Sequence, residues 1–164
     1  MMNKYLVSNT GPMIALSGIG ELEILKKLFN EVMIPHAVYN ELITGYSDTE
    51  SGRESFKIPE WISIVKLSKE PDPLLVQMLD PGEAAVIELA SLDTERIILM
   101  DEKKGRKIAG DIYGLPVTGT AGLLILAKRA GLINAASSLI ISMRNNGYWI
   151  DEAILNFVMR ETKE

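Results

Sequence analysis

The stretch Ile97-Ile98-Leu99-Met100-Asp101-Glu102-Lys103-Lys104-Gly105-Arg106 decides the fold. Four apolar residues make a run of the length of a short buried strand, and the chain passes at once to two acids and a basic segment that reads as helix. Tyr5-Leu6-Val7-Ser8-Asn9-Thr10-Gly11-Pro12 repeats the arrangement near the amino terminus, with an amide where the acids stand. Apolar strand runs that alternate with helices point to an α/β protein whose parallel sheet is covered on both faces. In such sheets the ligand crevice lies outside the carboxyl ends of the strands, where the strand order reverses. Asn9 and the Asp101-Glu102 pair both follow strands directly.

Outward from these two points, the pattern predicts further strands at 32–34, 61–65 and 116–118, the second of them at a sheet edge. Helices are expected from Thr10 through Leu16, at 21–29, from Pro35 through Ile43, from Pro71 to Leu79, and at 83–92 and 102–113. Three more follow at 121–130, 134–144 and 151–160. Between Gly45 and Lys57 the polar sequence reads as a mobile loop or short helix. There is no internal repeat and no low-complexity segment.

Composition narrows what these elements can do. A chain of 164 residues with 47% hydrophobic content suits one domain, 1–164, with an ordinary core. The absence of cysteine excludes disulfides, thiolate metal sites and cysteine nucleophiles, and a lone His36 leaves little for histidine-based acid–base chemistry or metal binding. Carboxylates remain in quantity. No apolar run approaches the ~18 residues of a membrane span, so a soluble, cytoplasmic protein with no membrane attachment is expected. The net charge of −5 argues against a broad nucleic-acid-binding surface, yet Lys103, Lys104, Arg106 and Lys107 place cations directly beside Asp101-Glu102.

Four polar points next to strands or helix starts therefore stand out: Asn9, Glu41, Glu83 and Asp101-Glu102. Each also has a structural explanation. Asp80-Pro81-Gly82-Glu83 has the spacing of a capping box, Asn9 could cap the helix that Thr10 opens, Asp101-Glu102 could answer a helix dipole, and Glu41 could be solvated. Against this, Glu83 precedes Ala84-Ala85, which allow close backbone approach, and Asp101-Glu102 precede a basic run that suits a phosphodiester. Gly105 inside that run weakens the helix and favours a close approach there. Dinucleotide and P-loop fingerprints are absent; Thr118-Gly119-Thr120-Ala121-Gly122 could turn amides toward a phosphate or simply form a strand-to-helix turn. Leu123–Leu126 and Leu139–Ile141 read as core or as a homodimer seam, Tyr148-Trp149 as packing, and His36 as a surface or capping residue.

Taken together, VSNTGPMIALSGIGELEILKKLF (7–29), VMIPHAVYNEL (32–42), LDPGEAAVIELA (79–90) and ILMDEKKGRKIAGDIYGLPVTGTAGLLILAKRAGLI (98–133) resemble the PIN-domain family, in its branch of small prokaryotic toxin-type ribonucleases, over residues 5–133. The resemblance implies a three-layer α/β/α fold and a Mg2+- or Mn2+-dependent ribonuclease, often the toxin half of a toxin–antitoxin pair. Asn9 falls where the family pattern has its first aspartate; Glu41 and Glu83 match the second and third acids, and Asp101 or Glu102 the fourth. The expectation is then a metal-dependent endoribonuclease for single-stranded RNA. Its ions would be held by Asn9, Glu41, Glu83, Asp101 and Glu102, the four acids being catalytic, and its RNA by Lys103, Lys104, Arg106 and Lys107. RNA, an antitoxin protein and a second copy of the chain are the expected partners. An amide at position 9 brings no charge and should hold metal less tightly. The rival is therefore a catalytically weakened PIN-fold module that binds RNA or protein, and a phosphoacceptor-type signalling module is a third class.

Overall fold

The computed structural model describes residues 2–45 and 56–164; the expected loop or short helix after Gly45 falls largely on residues 46–55, outside them. Five strands, β1 (Met2–Ser8), β2 (Phe29–Pro35), β3 (Ile62–Val65), β4 (Arg96–Leu99) and β5 (Val117–Thr118), form one all-parallel sheet in the order β3-β2-β1-β4-β5. The central strand β1 pairs on both sides, Leu6 opposite Val32 and opposite Ile97. Leu6, Val7, Ile98 and Leu99 are fully buried, as strands covered on both faces require. The edge strand β3 alternates between sheltered and exposed positions, and Ile64 remains open to solvent.

Helices α1 (Thr10–Gly18), α2 (Glu23–Leu28), α3 (His36–Thr44), α4 (Pro73–Met78), α5 (Pro81–Ser91), α6 (Lys103–Lys107), α7 (Thr120–Arg129), α8 (Ala136–Asn145) and α9 (Glu152–Thr162) flank the sheet in a three-layer α/β/α fold. Pro73 and Pro81 each open a helix behind an aspartate whose side chain accepts a backbone N–H, Leu74 for Asp72 and Glu83 for Asp80. The second helix ends at Leu28, and Phe29, expected in it, begins β2 with its ring buried. The helix expected over 102–113 is only five residues of α-helix, followed by a π-helical turn at Ile108–Ile112 in which Tyr113 N–H reaches the Ile108 carbonyl. No helix among the described residues is long and apolar enough to cross a membrane.

Leu123, Leu124, Ile125 and Ile140 are buried within the chain, so most of the apolar surface considered for a dimer seam is spent on the protein's own core. Ile141 stays exposed. The amino end of α8 is closed from a distance: Glu164 accepts from the backbone N–H groups of Ala136 and Ser137 and from the Ser137 hydroxyl, a cap that Ala135 cannot supply. Against partial burial, which raises it, hydrogen bonds from Thr162, Ser137 and Ala136 bring the Glu164 carboxyl down to about 2. A carboxyl depressed in the folded state stabilises above its unfolded value and loses that contribution as pH falls toward the folded one. Glu164→Ala should thus cost about 1 kcal/mol in urea denaturation at neutral pH. The difference from wild type should shrink as pH is lowered from 4.5 toward 2.

Candidate active site

The strand order reverses between β1 and β4, and the crevice beyond their carboxyl ends is where Asn9 and Asp101 lie. Asn9 donates its backbone N–H to the Leu99 carbonyl at 2.9 Å, which ties the start of α1 to the end of β4. The residue as a whole is only 7% exposed, yet its side chain makes no capping bond to α1, nor does it hydrogen-bond to any other described residue. Position 9 is not a working cap.

Glu41 arrives from α3. Its carboxylate accepts a hydrogen bond from the Thr10 hydroxyl at 2.5 Å and lies directly against Gly82 at the start of α5. A methyl group on Gly82 would stand 2.4 Å from Glu41 Oε1, so the glycine in DPGE serves close approach, with no unusual backbone angle involved. The next residue, Glu83, faces α6: its Oε2 is 3.6 Å from where a Cβ on Gly105 would be, while Met100 Sδ would be only 2.4 Å away. The close approach expected at Gly105 is therefore the protein's own Met100.

The charges of Asp80, Glu41 and Glu102 all act on Glu83, and among the described residues no lysine or arginine pairs with any of the four. Burial first, then a hydrogen bond with Asp80 and the charges of Asp80, Glu102 and Glu41, push the Glu83 carboxyl up to about 7. Half of the capping box is present, since Asp80 accepts from Glu83 N–H at 2.8 Å. The Glu83 side chain is thus engaged by the acidic cluster.

The Asp101-Glu102 pair divides its labour. Asp101 accepts from Thr120 N–H at 2.7 Å, from the Thr120 hydroxyl at 2.6 Å and from the Tyr148 hydroxyl. It closes the first turn of α7 across the crevice, so the Thr120 amide that could have faced a phosphate is already taken. Glu102, exposed and without such partners, is the member of the pair that contributes to Glu83's field. Tyr148 is no mere packing residue: burial and the Asp101 charge raise its phenol well above the ordinary value, which keeps it a hydrogen-bond donor. Tyr148→Phe should cost about 1 kcal/mol by removing one of Asp101's three donors, read as a lower melting temperature without loss of fold. Thr10, next to Asn9, and Thr120, within the 118–122 strand-to-helix turn, carried a weak local signal; Tyr148, 47 residues from Asp101, carried none.

Lys103, Lys104, Arg106 and Lys107 are all exposed on α6 and form no ion pair among the described residues. Arg106 stays unpaired although its Nη1 and Asp101 Oδ1 both crowd Gly119, at 2.5 and 2.9 Å from a would-be Cβ. A larger cavity of about 650 Å³, lined by His36, Leu67, Val76, Leu79 and Ala84, contains none of the candidate acids.

A family model described as the PIN domain matches residues 5–164. The chain belongs to the PIN-domain family. The match runs past residue 133, where the recognised motifs end, and takes in Tyr148 and the last two helices. No curated protein and no solved structure matches the chain. PIN domains are generally nucleases that use divalent metal ions. The donors in this PIN domain suit such an ion by their chemistry: Glu41, Glu83 and Glu102 offer oxygens that no described lysine or arginine pairs, and the Asn9 side chain makes no hydrogen bond to a described residue. Among the described residues, no three histidine, cysteine or acidic side chains stand close enough together to enclose an ion as they are.

Proposed function

We propose that this PIN domain is a Mg2+- or Mn2+-dependent endoribonuclease acting on single-stranded RNA, with Glu41, Glu83 and Glu102 as the principal metal-holding acids and Asn9 as a neutral oxygen donor beside them. The observation that carries the proposal is the gathering of Asp80, Glu41 and Glu102 around a partly buried Glu83, with no described lysine or arginine pairing them; burial first, then these neighbours, push the Glu83 carboxyl up to about 7. A bound divalent ion would supply Lewis-acid stabilisation of the phosphoryl oxygens and lower the pKa of water. Glu41, fixed by Thr10 and Gly82, sets the position of one carboxylate before substrate arrives. Glu83 must give up its proton to act as a ligand, so binding is coupled to pH. Asp101 works through geometry, locking α7 and Tyr148 against the crevice. Arg106 and the neighbouring lysines attract the RNA backbone.

A toxin's role, with an antitoxin protein as partner, is part of the same proposal and is supported by the family resemblance. The rival, a PIN module that binds RNA without cutting it, is favoured by two observations: position 9 carries no charge, and Asp101 is tied to three donors. Calorimetric titration with Mn2+ separates the two. Binding accompanied by proton release below about pH 7 that fades as pH rises above it, with cleavage of a labelled single-stranded RNA that EDTA stops, is the expected result. RNA binding with no Mn2+ uptake would give the site to the rival.

A further inference from the structure

Beside Asp101, between α7 and the turn that joins α8 to α9, lies a second cavity of about 310 Å³, lined among others by Arg106, Tyr148, Trp149 and Ile154. Trp149 is 71% exposed, the most open of the large apolar side chains described. Such a ring is ordinarily either mobile or used. Here it is held on two sides. Its Nε1–H donates to Asp151 Oδ1 at 3.0 Å, and the Arg144 guanidinium stands 4.9 Å from the ring centroid, within cation–π range.

Arg144 is itself fixed. It donates from Nε to the Ile150 carbonyl at 2.7 Å and from Nη1 to Glu152 at 2.9 Å, so one side chain pins the turn on both sides of residue 151. Its Nη2 is buried with no hydrogen-bond partner, which leaves the indole face as part of what the guanidinium gains there. With Arg144 occupying one face, the remaining ring surface is presented, already oriented, at the mouth of the cavity.

The charges around it decide what could fill it. Two carboxylates line the cavity, and both are engaged: Asp101 by Thr120 and Tyr148, Asp151 by the indole N–H. Arg106 lines it too and has no hydrogen bond or ion pair among the described residues. A preorganised aromatic face next to an unpaired guanidinium matches a nucleobase attached to a phosphodiester, because every base has a π-face and every nucleotide a charge for the arginine. A protein partner would gain from the ring but would leave Arg106 to be answered by an acid of its own.

We infer that Trp149 is a stacking platform for one base of a single-stranded RNA, with Arg106 holding the adjacent phosphate. It is a positioning residue that sets where the strand crosses the acidic crevice. The inference rests on the proposed action on RNA but not on cleavage, and it is tested without metal. Fluorescence anisotropy of a labelled oligouridylate in EDTA should show Trp149→Ala binding roughly 10- to 100-fold more weakly than wild type. Trp149→Phe should recover most of that loss. The same backbone lacking bases should bind wild type and Trp149→Ala alike, while Arg106→Ala should weaken both oligomers and lower the salt dependence.

Equal affinity of wild type and Trp149→Ala for the oligouridylate would overturn the inference, as would an equal loss on the abasic backbone. A change in sedimentation on Trp149→Ala with RNA affinity unchanged would assign this face to a second copy of the chain and overturn it as well. Cleavage with Mn2+ is scored separately. A base-dependent loss on Trp149→Ala in a protein that never cuts would sustain the stacking site and remove the nuclease.

Discussion

Glu83→Gln is expected to reduce Mn2+-dependent cleavage of single-stranded RNA by at least about 100-fold while making the protein more stable at alkaline pH. Both effects come from the same carboxyl. Its folded-state value of about 7 lies above the 4.5 of an unperturbed glutamate, so the folded protein binds this proton more tightly than the unfolded chain does. Stability from the protonated form is fully present below 4.5 and is lost as pH rises through 7. Glutamine cannot ionise and escapes that loss. A shift of this size would amount to about 3 kcal/mol for a fully buried group; the partial solvent access of Glu83 reduces it to roughly 1–2 kcal/mol. Urea denaturation of the two proteins at a series of pH values checks the sign: the variant should gain on wild type between pH 4.5 and 7 and hold a constant lead above. A variant that loses activity without gaining alkaline stability would show that Glu83 is not strained by its acidic neighbours.

Asn9→Asp should have the second large effect, and in opposite directions with and without metal. Asn9 is largely buried, its side chain makes no hydrogen bond to a described residue, and Thr10, the next residue, already holds Glu41. A new carboxylate there would be an unpaired charge on a largely buried residue, one position from the hydroxyl that holds Glu41. That should cost roughly 2–4 kcal/mol in the metal-free protein and lower the melting temperature by about 5–10 °C. Added Mn2+ should return most of the stability, and the ion should bind at least about tenfold more tightly than to wild type, with cleavage rising in step. Were position 9 only a helix cap, aspartate and asparagine would be nearly equivalent and neither quantity would move. Paired thermal melts with and without Mn2+, together with calorimetry, distinguish these outcomes. Equal metal affinity in the two proteins would leave the carboxylate-held ion without support and favour the binding module.

The positions of the strands were legible because their signals are local. β1, β2 and β4 are apolar runs that end where a polar residue or proline must stand, and β3 alternates as an edge strand does. Helix starts at Pro73 and Pro81 follow from proline's fixed geometry behind a capping aspartate. The switch to a π turn after Lys107 was not legible, since Ile108 and Ala109 are buried as the next residues of an ordinary helix would be. Phe29 was misplaced for a similar reason: its ring suits the apolar face of a helix as well as the first position of a buried strand.

Sequence by itself determined the parallel sheet and set Asn9 and Asp101 close behind two of its strands, because strand length and helix starts are written in neighbouring residues. Only the tertiary structure decided how the acids divide their work. Asp101 is occupied by donors from Thr120 and Tyr148, Glu102 is left to share a field with Glu83, and Glu41 reaches Gly82 because no side chain is there to stop it. Hydrogen bonds and Coulomb forces act over a few ångströms of space, and space between residues 41, 82, 101 and 148 is set by how the layers pack, which no local pattern encodes.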